Sequence, residues 1–174
     1  MGATPPCRTR VVVTGLVAAA LLAACATPPA DPAPRAEADA SPGEEQRARS
    51  VRTVNAFYRS LQDRDIDHLS TLWTTDATYR MPTSLEGPPG ELVGREEIVS
   101  ALDDFITRFG ETHFTWQVEP MLDPGQVMAV WSCDIDLLRG GSYRNEGVAI
   151  FEMSGDRIAV FREYYDTAAF HDAF

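Results

Sequence analysis

The apolar residues of this chain change period once, and that change limits the fold more than any single motif. Between residues 45 and 109 they recur every three or four positions; from Thr112 onward they alternate. Val51, Val54, Phe57, Tyr58 and Leu61 share one face of a helix over Glu45–Leu61. Asp65 is placed to cap a second helix carrying Ile66, Leu69, Leu72 and Trp73. A short strand, Asp76–Met81, stops at Pro82, and Thr83–Gly90 is too rich in glycine and proline to be regular. Gly94–Arg95–Glu96–Glu97 opens a third helix that runs to Phe109 through Ile98, Leu102, Phe105 and Ile106. Four strands follow, Thr112–Glu119, Val127–Leu138, Ser142–Met153 and Arg157–Tyr165, with turns at Asp123–Pro124–Gly125, Arg139–Gly140–Gly141 and Ser154–Gly155–Asp156. Helices first and strands later predict an α+β domain, with three N-terminal helices packed against a curved, mainly antiparallel sheet.

The chain ahead of that domain has a different character. Arg8 and Arg10 precede the apolar run Val11–Leu22, which ends in Ala23, Ala24 and Cys25. A basic head, a short apolar stretch and small residues describe a secretory signal. Leu22–Ala23–Ala24–Cys25 resembles the bacterial lipobox. That resemblance implies cleavage before Cys25, diacylation of its sulfur and acylation, with palmitate or a similar chain, of the new amino terminus. The expected partner is a lipid bilayer, held through acylated Cys25 at roughly 0.8 kcal/mol per buried methylene. The implied location is extracytoplasmic: the outer membrane of a Gram-negative cell or the outer face of a Gram-positive cell membrane. An ordinary signal cut near Ala24 or Ala26, releasing a secreted protein, is the alternative. The apolar run of about 14 residues is short of the roughly 20 that a membrane span needs. The chain divides into a signal peptide (1–24), a Pro/Ala spacer (25–44) and one domain (45–174).

Composition excludes some partners. The net charge of −11 argues against nucleic acid and against an anionic membrane face. Cys7 lies in the signal and Cys25 carries the lipid, so Cys133 is left alone and no internal disulfide is expected in the mature chain. Cys133 sits in an alternating strand and reads as a buried thiol. His68, His113 and His171 lack ligand spacing, so no metal and no other cofactor is expected.

Several segments resemble, in order, the ketosteroid-isomerase-like proteins of the NTF2-like superfamily. Phe57–Asp67 resembles their opening helix–turn–helix; Leu72–Trp73 with Asp76–Tyr79 and Pro82 resembles their first strand. Gly94–Arg95–Glu96 matches the start of their third helix. Gly155–Ile158 leading to Phe161–Asp166 is most similar to the closing hairpin of the SnoaL-like polyketide cyclase branch. The resemblance implies a cone-shaped cavity between helices and sheet. Enzymes of this kind place a carboxylate pair, or a carboxylate and a tyrosine, on apolar walls, where burial raises the carboxyl pKa toward neutrality.

Candidate site residues follow from strand faces. Ser132, Asp134 and Asp136 share one face of the long strand, while Trp131, Cys133 and Ile135 share the other; Phe161, Glu163 and Tyr165 share a face of the last strand. Asp134 and Glu163 are the candidate acid/base pair, in either order. Alternatively Asp134 or Asp136 points to water, and Glu163 pairs with Arg144 or Arg162. Tyr79, Met81, His113, Trp131, Asp136, Phe161 and Tyr165 are candidate pocket residues. Arg80 and Arg144 are candidate anion holders. Met81 stands where a steroid-isomerase-like enzyme has an aspartate, Phe57 where it has its helix tyrosine, and Ser132 with Asp134 replaces an epoxide-hydrolase-like basic–x–acid pair. Phe170 and Phe174 are placed to cover either the pocket mouth or a dimer edge. The leading functional reading is a membrane-tethered domain that binds a small apolar or mixed ligand. The alternatives are an acid/base enzyme (cyclase, isomerase or hydrolase) using Asp134 and Glu163, and an assembly module docking a partner, such as a second copy in a homodimer, through its sheet.

Overall fold

Ser41 opens the first helix with a reciprocal cap. Its hydroxyl accepts from the Glu44 N–H, the Glu44 carboxylate accepts from the Ser41 N–H, and Pro42 occupies the first turn. The computed structural model describes residues 41–82 and 90–174; the expected signal run, Cys25, the expected spacer as far as residue 40, and residues 83–89, expected to be irregular, lie outside the described residues. Helix α1 (Pro42–Asp63) therefore begins within the segment that composition assigns to the spacer. Arg64 ends it in a left-handed conformation, φ 57°, and Asp65 caps α2 (Ile66–Thr71) by accepting from the His68 N–H. Strands β1 (Trp73–Arg80) and β2 (Glu91–Val93) follow, then α3 (Arg95–Ile106). The long strands are β3 (Phe109–Pro120), β4 (Gln126–Leu137), β5 (Ser142–Ser154) and β6 (Arg157–Tyr165), and α4 (Thr167–Ala173) closes the chain.

The described strands form one six-stranded sheet in the order β2-β1-β6-β5-β4-β3. Neighbours are antiparallel except β1 and β6, which run parallel. Two expectations are corrected here. Only α1 and α2 precede the sheet, because β1 and β2 separate them from α3 and belong to the same sheet as the later strands. The sheet is an open ladder ending in β2 and β3, not a curved surface wrapped around three N-terminal helices. Alternating apolar residues show which side chains share a strand face; they do not dictate how the strands are ordered or whether the sheet closes. β4, β5 and β6 lie within a residue of where the period-two pattern puts them, but α3 ends at Ile106 and β3 begins at Phe109, which the helical pattern claims. β2 spans three residues, too few to show a period, and α4 lies in the tail.

Face assignment follows the alternation closely. On β4, Val127, Ala129, Trp131, Cys133, Ile135 and Leu137 are buried beneath the helices, and the intervening side chains point away. Val54, Phe57, Tyr58 and Leu61 of α1 and Ile98, Leu102 and Ile106 of α3 cover that face. Phe57 is central: its ring meets Tyr58, Trp73 and Phe151 edge-on at centroid distances of 5.1, 5.8 and 5.4 Å.

Two polar details hold the end of β6 in place. The Asn145 side chain is buried and fully used: its Nδ2 donates to the Tyr143 hydroxyl and the Asp166 carbonyl, and its Oδ1 accepts from the Glu146 and Asp166 N–H groups. Asp166 then caps α4 by accepting from the Ala168 and Ala169 N–H groups. Beside them, Gly147 lies under the Trp131 indole. A Cβ there would stand 2.9 Å from Trp131 Cζ2 and 2.5 Å from the Tyr164 carbonyl oxygen, so glycine is required by space.

Candidate ligand-binding site

Between the buried sheet face and α1, α3 and α4 lies a cavity of about 290 Å³, at the lower edge of the roughly 300–1,000 Å³ usual for small-molecule sites. α1 contributes Phe57, Tyr58 and Leu61, and α3 contributes Ala101, Leu102, Phe105 and Ile106. The sheet contributes Tyr79 from β1, Trp131, Cys133 and Ile135 from β4, Tyr143 from β5, and Phe161, Glu163 and Tyr165 from β6. Phe170 of α4 completes the wall. The lining is overwhelmingly apolar and aromatic, and Glu163 is its one carboxylate among the described residues.

Among the described residues that carboxylate has one hydrogen bond: the Tyr79 hydroxyl donates to Glu163 Oε2 at 2.7 Å. Burial pushes the Glu163 carboxyl up to about 7, and the Tyr79 hydrogen bond pulls it part of the way back by favouring the charged form. The neighbouring phenols are pushed up as well. Burial first, and the Glu163 charge second, push Tyr58 and Tyr79 well above the ordinary phenol value and Tyr165 up to about 12. The phenols are therefore hydrogen-bond donors at neutral pH. Cys133 is pushed up to about 12, chiefly by burial, which makes it an inert thiol rather than a nucleophile.

Two donors on lining residues have no partner among the described residues. The Tyr58 hydroxyl and the Trp131 Nε1–H are buried and unpaired, on residues only 1% and 6% exposed. Tyr58 is held rigidly, stacked on Trp116 at 5.6 Å, and Trp116 is fixed in turn by its Nε1–H donating to Asn55 Oδ1 at 2.9 Å.

Of the residues singled out from the sequence, Tyr79, Met81, Trp131, Phe161, Glu163 and Tyr165 meet at this cavity. Asp134, Asp136 and His113 do not. Asp134 is on the opposite face of β4, exposed and ion-paired with Arg144 at 2.9 Å, so the expected Asp134–Glu163 pair is not assembled. The reason is strand parity: in the register Asp134 pairs with Arg144 and His113, outside the buried set. Asp136 is exposed, and the exposed His113 ring faces Glu111 at 3.2 Å. Glu163 pairs with neither Arg144 nor Arg162; Arg162 pairs with Glu152 at 2.6 Å. Arg80 is engaged by Glu91 at 2.8 Å. Cys25 lies outside the described residues. The sequence reading did not single out Tyr58 or Tyr143 for the cavity. Tyr58 had been placed on the apolar face of α1, and the alternation Tyr143–Asn145–Gly147 on β5 carries the signal for Tyr143.

The chain belongs to the SnoaL-like domain family, whose model matches residues 54–161. It is 24% identical over 128 residues to the uncharacterized protein YesE of Bacillus subtilis, an alignment that covers 72% of this chain and 87% of YesE. Among solved structures it is similar to a phenazine biosynthesis-related protein from Pseudomonas aeruginosa, with 18% identity and a TM-score of 0.65 over 75% of this chain and 88% of that one. It is also similar to a Mycobacterium tuberculosis protein solved in complex with estradiol-17beta-hemisuccinate, with 17% identity and a TM-score of 0.61 over 70% of this chain and 96% of that one. At these identities the structures show a shared fold.

The raised Glu163 carboxyl has a consequence for stability. The folded state holds the proton more tightly than the unfolded chain does, so this group favours folding below the ordinary carboxyl value and loses that contribution as pH rises through about 7. Denaturation midpoints measured between pH 4.5 and 7.5 should fall less steeply for Glu163→Gln than for the wild type. Parallel curves for the two proteins would show that Glu163 is not held protonated.

Proposed function

We propose that the domain binds a small, mainly apolar molecule carrying an oxygen function, and that Glu163 exchanges a proton with it. The observation that carries this reading is one carboxyl, pushed up to about 7, in an apolar cavity that also holds an unpaired buried phenol. A cavity lined this way favours an apolar body through burial, at roughly 25 cal/mol per Å² removed from water. The unpaired Tyr58 and Trp131 donors favour a ligand with an acceptor oxygen, since leaving them dry and unbonded costs roughly 1–3 kcal/mol each. The apolar ring system named in the Mycobacterium tuberculosis complex is of this kind.

The same arrangement supports acid/base chemistry with Glu163 acting without Asp134. A group that titrates near the working pH both takes and returns a proton efficiently. Tyr58 supplies a donor for negative charge developing on a carbonyl oxygen, and Tyr79 holds the carboxyl in place. 2-Tetralone serves as a probe of stated chemistry: an apolar ketone with acidic α-hydrogens. Deuterium exchange at its α-carbon, followed by NMR, should be accelerated by the wild type and slowed by roughly 10²–10⁴-fold in Glu163→Gln. Equal exchange in both proteins would remove Glu163 from the chemistry, while ligand shifts in the same spectra report binding separately.

We further propose that the domain works tethered to a membrane outside the cytoplasm through acylated Cys25. Support comes from the Arg8–Cys25 run and from the Pro/Ala spacer. Radiolabelled palmitate should enter the wild-type chain in a bacterial host and not Cys25→Ala, with the label following the membrane fraction. Equal labelling, or none in either chain, would contradict the tether.

A further inference from the structure

The cavity has a second polar pole, and it is cationic. Arg108 follows α3, lines the cavity, and is exposed, so the cavity meets solvent at this residue. Among the described residues no other arginine lines it, and none of the ion pairs involves Arg108. Its guanidinium instead rests over the Phe174 ring, 5.9 Å from the centroid, which orients the group while leaving its N–H donors unspent.

The two poles stand at opposite ends of β4. The Arg108 carbonyl accepts from the Leu138 N–H, just past the carboxy-terminal end of that strand. Glu163 pairs with Ala149, and Ala149 with Ala129, near its beginning. Between them the wall is apolar, through Trp131, Cys133 and Ile135.

Resting on the ligand-binding reading above, we propose that the ligand is an elongated amphiphilic anion. Its carboxylate, or a group of the same charge and shape, is held by Arg108 at the mouth, and its oxygen-bearing end lies toward Glu163 and Tyr58. The net charge of −11 repels anions at long range, so the preference must arise on contact, from paired N–H donors that match a carboxylate.

The test uses 4-(4-hydroxyphenyl)benzoate and its methyl ester, which share one skeleton and differ in charge. Calorimetry on the full chain should show the acid bound roughly tenfold more tightly than the ester. Arg108→Gln should abolish that preference by weakening the acid more than the ester. Raising the salt concentration should shrink the wild-type preference. Equal binding of acid and ester by the wild type, or equal weakening of both in Arg108→Gln, overturns the anion anchor and leaves the pocket reading intact. Ala101→Trp, which fills the cavity, should abolish binding of both probes; unchanged binding places them elsewhere and overturns the proposal. Failure of both probes to bind the wild type overturns the pocket reading and this inference together.

Discussion

A carboxyl group in an apolar wall, with a single phenol for a partner, is the costliest arrangement in this molecule. Removing a charge from water is offset only by pairing or by protonation, and Glu163 is in none of the ion pairs among the described residues. It is brought to the point of protonation at neutral pH, and that state depends on everything around it. α1 and α3 must exclude water above the sheet. β1 must lie beside β6 so that Tyr79 reaches the carboxylate, and the parallel pairing of Tyr79 with Phe161 does this.

The supporting structure is rigid where the site needs it to be. Asn145 divides its hydrogen bonds between its β5 neighbours, Tyr143 and Glu146, and Asp166 at the turn from β6 into α4, a turn flanked by the cavity residues Tyr165 and Phe170. Trp116, anchored by Asn55, backs Tyr58, and the bare backbone of Gly147 makes room for Trp131. The two unpaired donors therefore sit on side chains with little freedom to turn and find partners elsewhere. Such preorganisation lowers the entropic cost of binding.

Strand parity was legible in the sequence, and it decides most of the site. The alternation that set Trp131, Cys133 and Ile135 against Ser132, Asp134 and Asp136 is the alternation seen between cavity and solvent. Parity alone leaves open which of two faces is buried on a strand with acids on one side, and pairing Asp134 with Glu163 put the wrong face of β4 inward. The neighbouring strand carries the missing information: Arg144 lies directly opposite Asp134 and offers it an ion pair at the surface. The parallel β1–β6 junction was not legible, because it joins residues about 80 positions apart and depends on sheet order, which local pattern does not encode. The α1 cap was also missed. Ser41 and Glu44 form a capping box, but they lie among prolines and alanines that read as spacer.

The central claim concerns one proton. With glutamate side-chain carboxyls labelled with carbon-13, and Glu163→Gln used to assign the signal, NMR titration reads the Glu163 midpoint directly. The structure predicts a midpoint of about 7, rising further in Tyr79→Phe because the hydrogen bond that favours the charged form is lost. A midpoint in the ordinary carboxyl range, unchanged by Tyr79→Phe, would mean that water reaches Glu163 freely and would contradict the account of the cavity as a dry, proton-exchanging site.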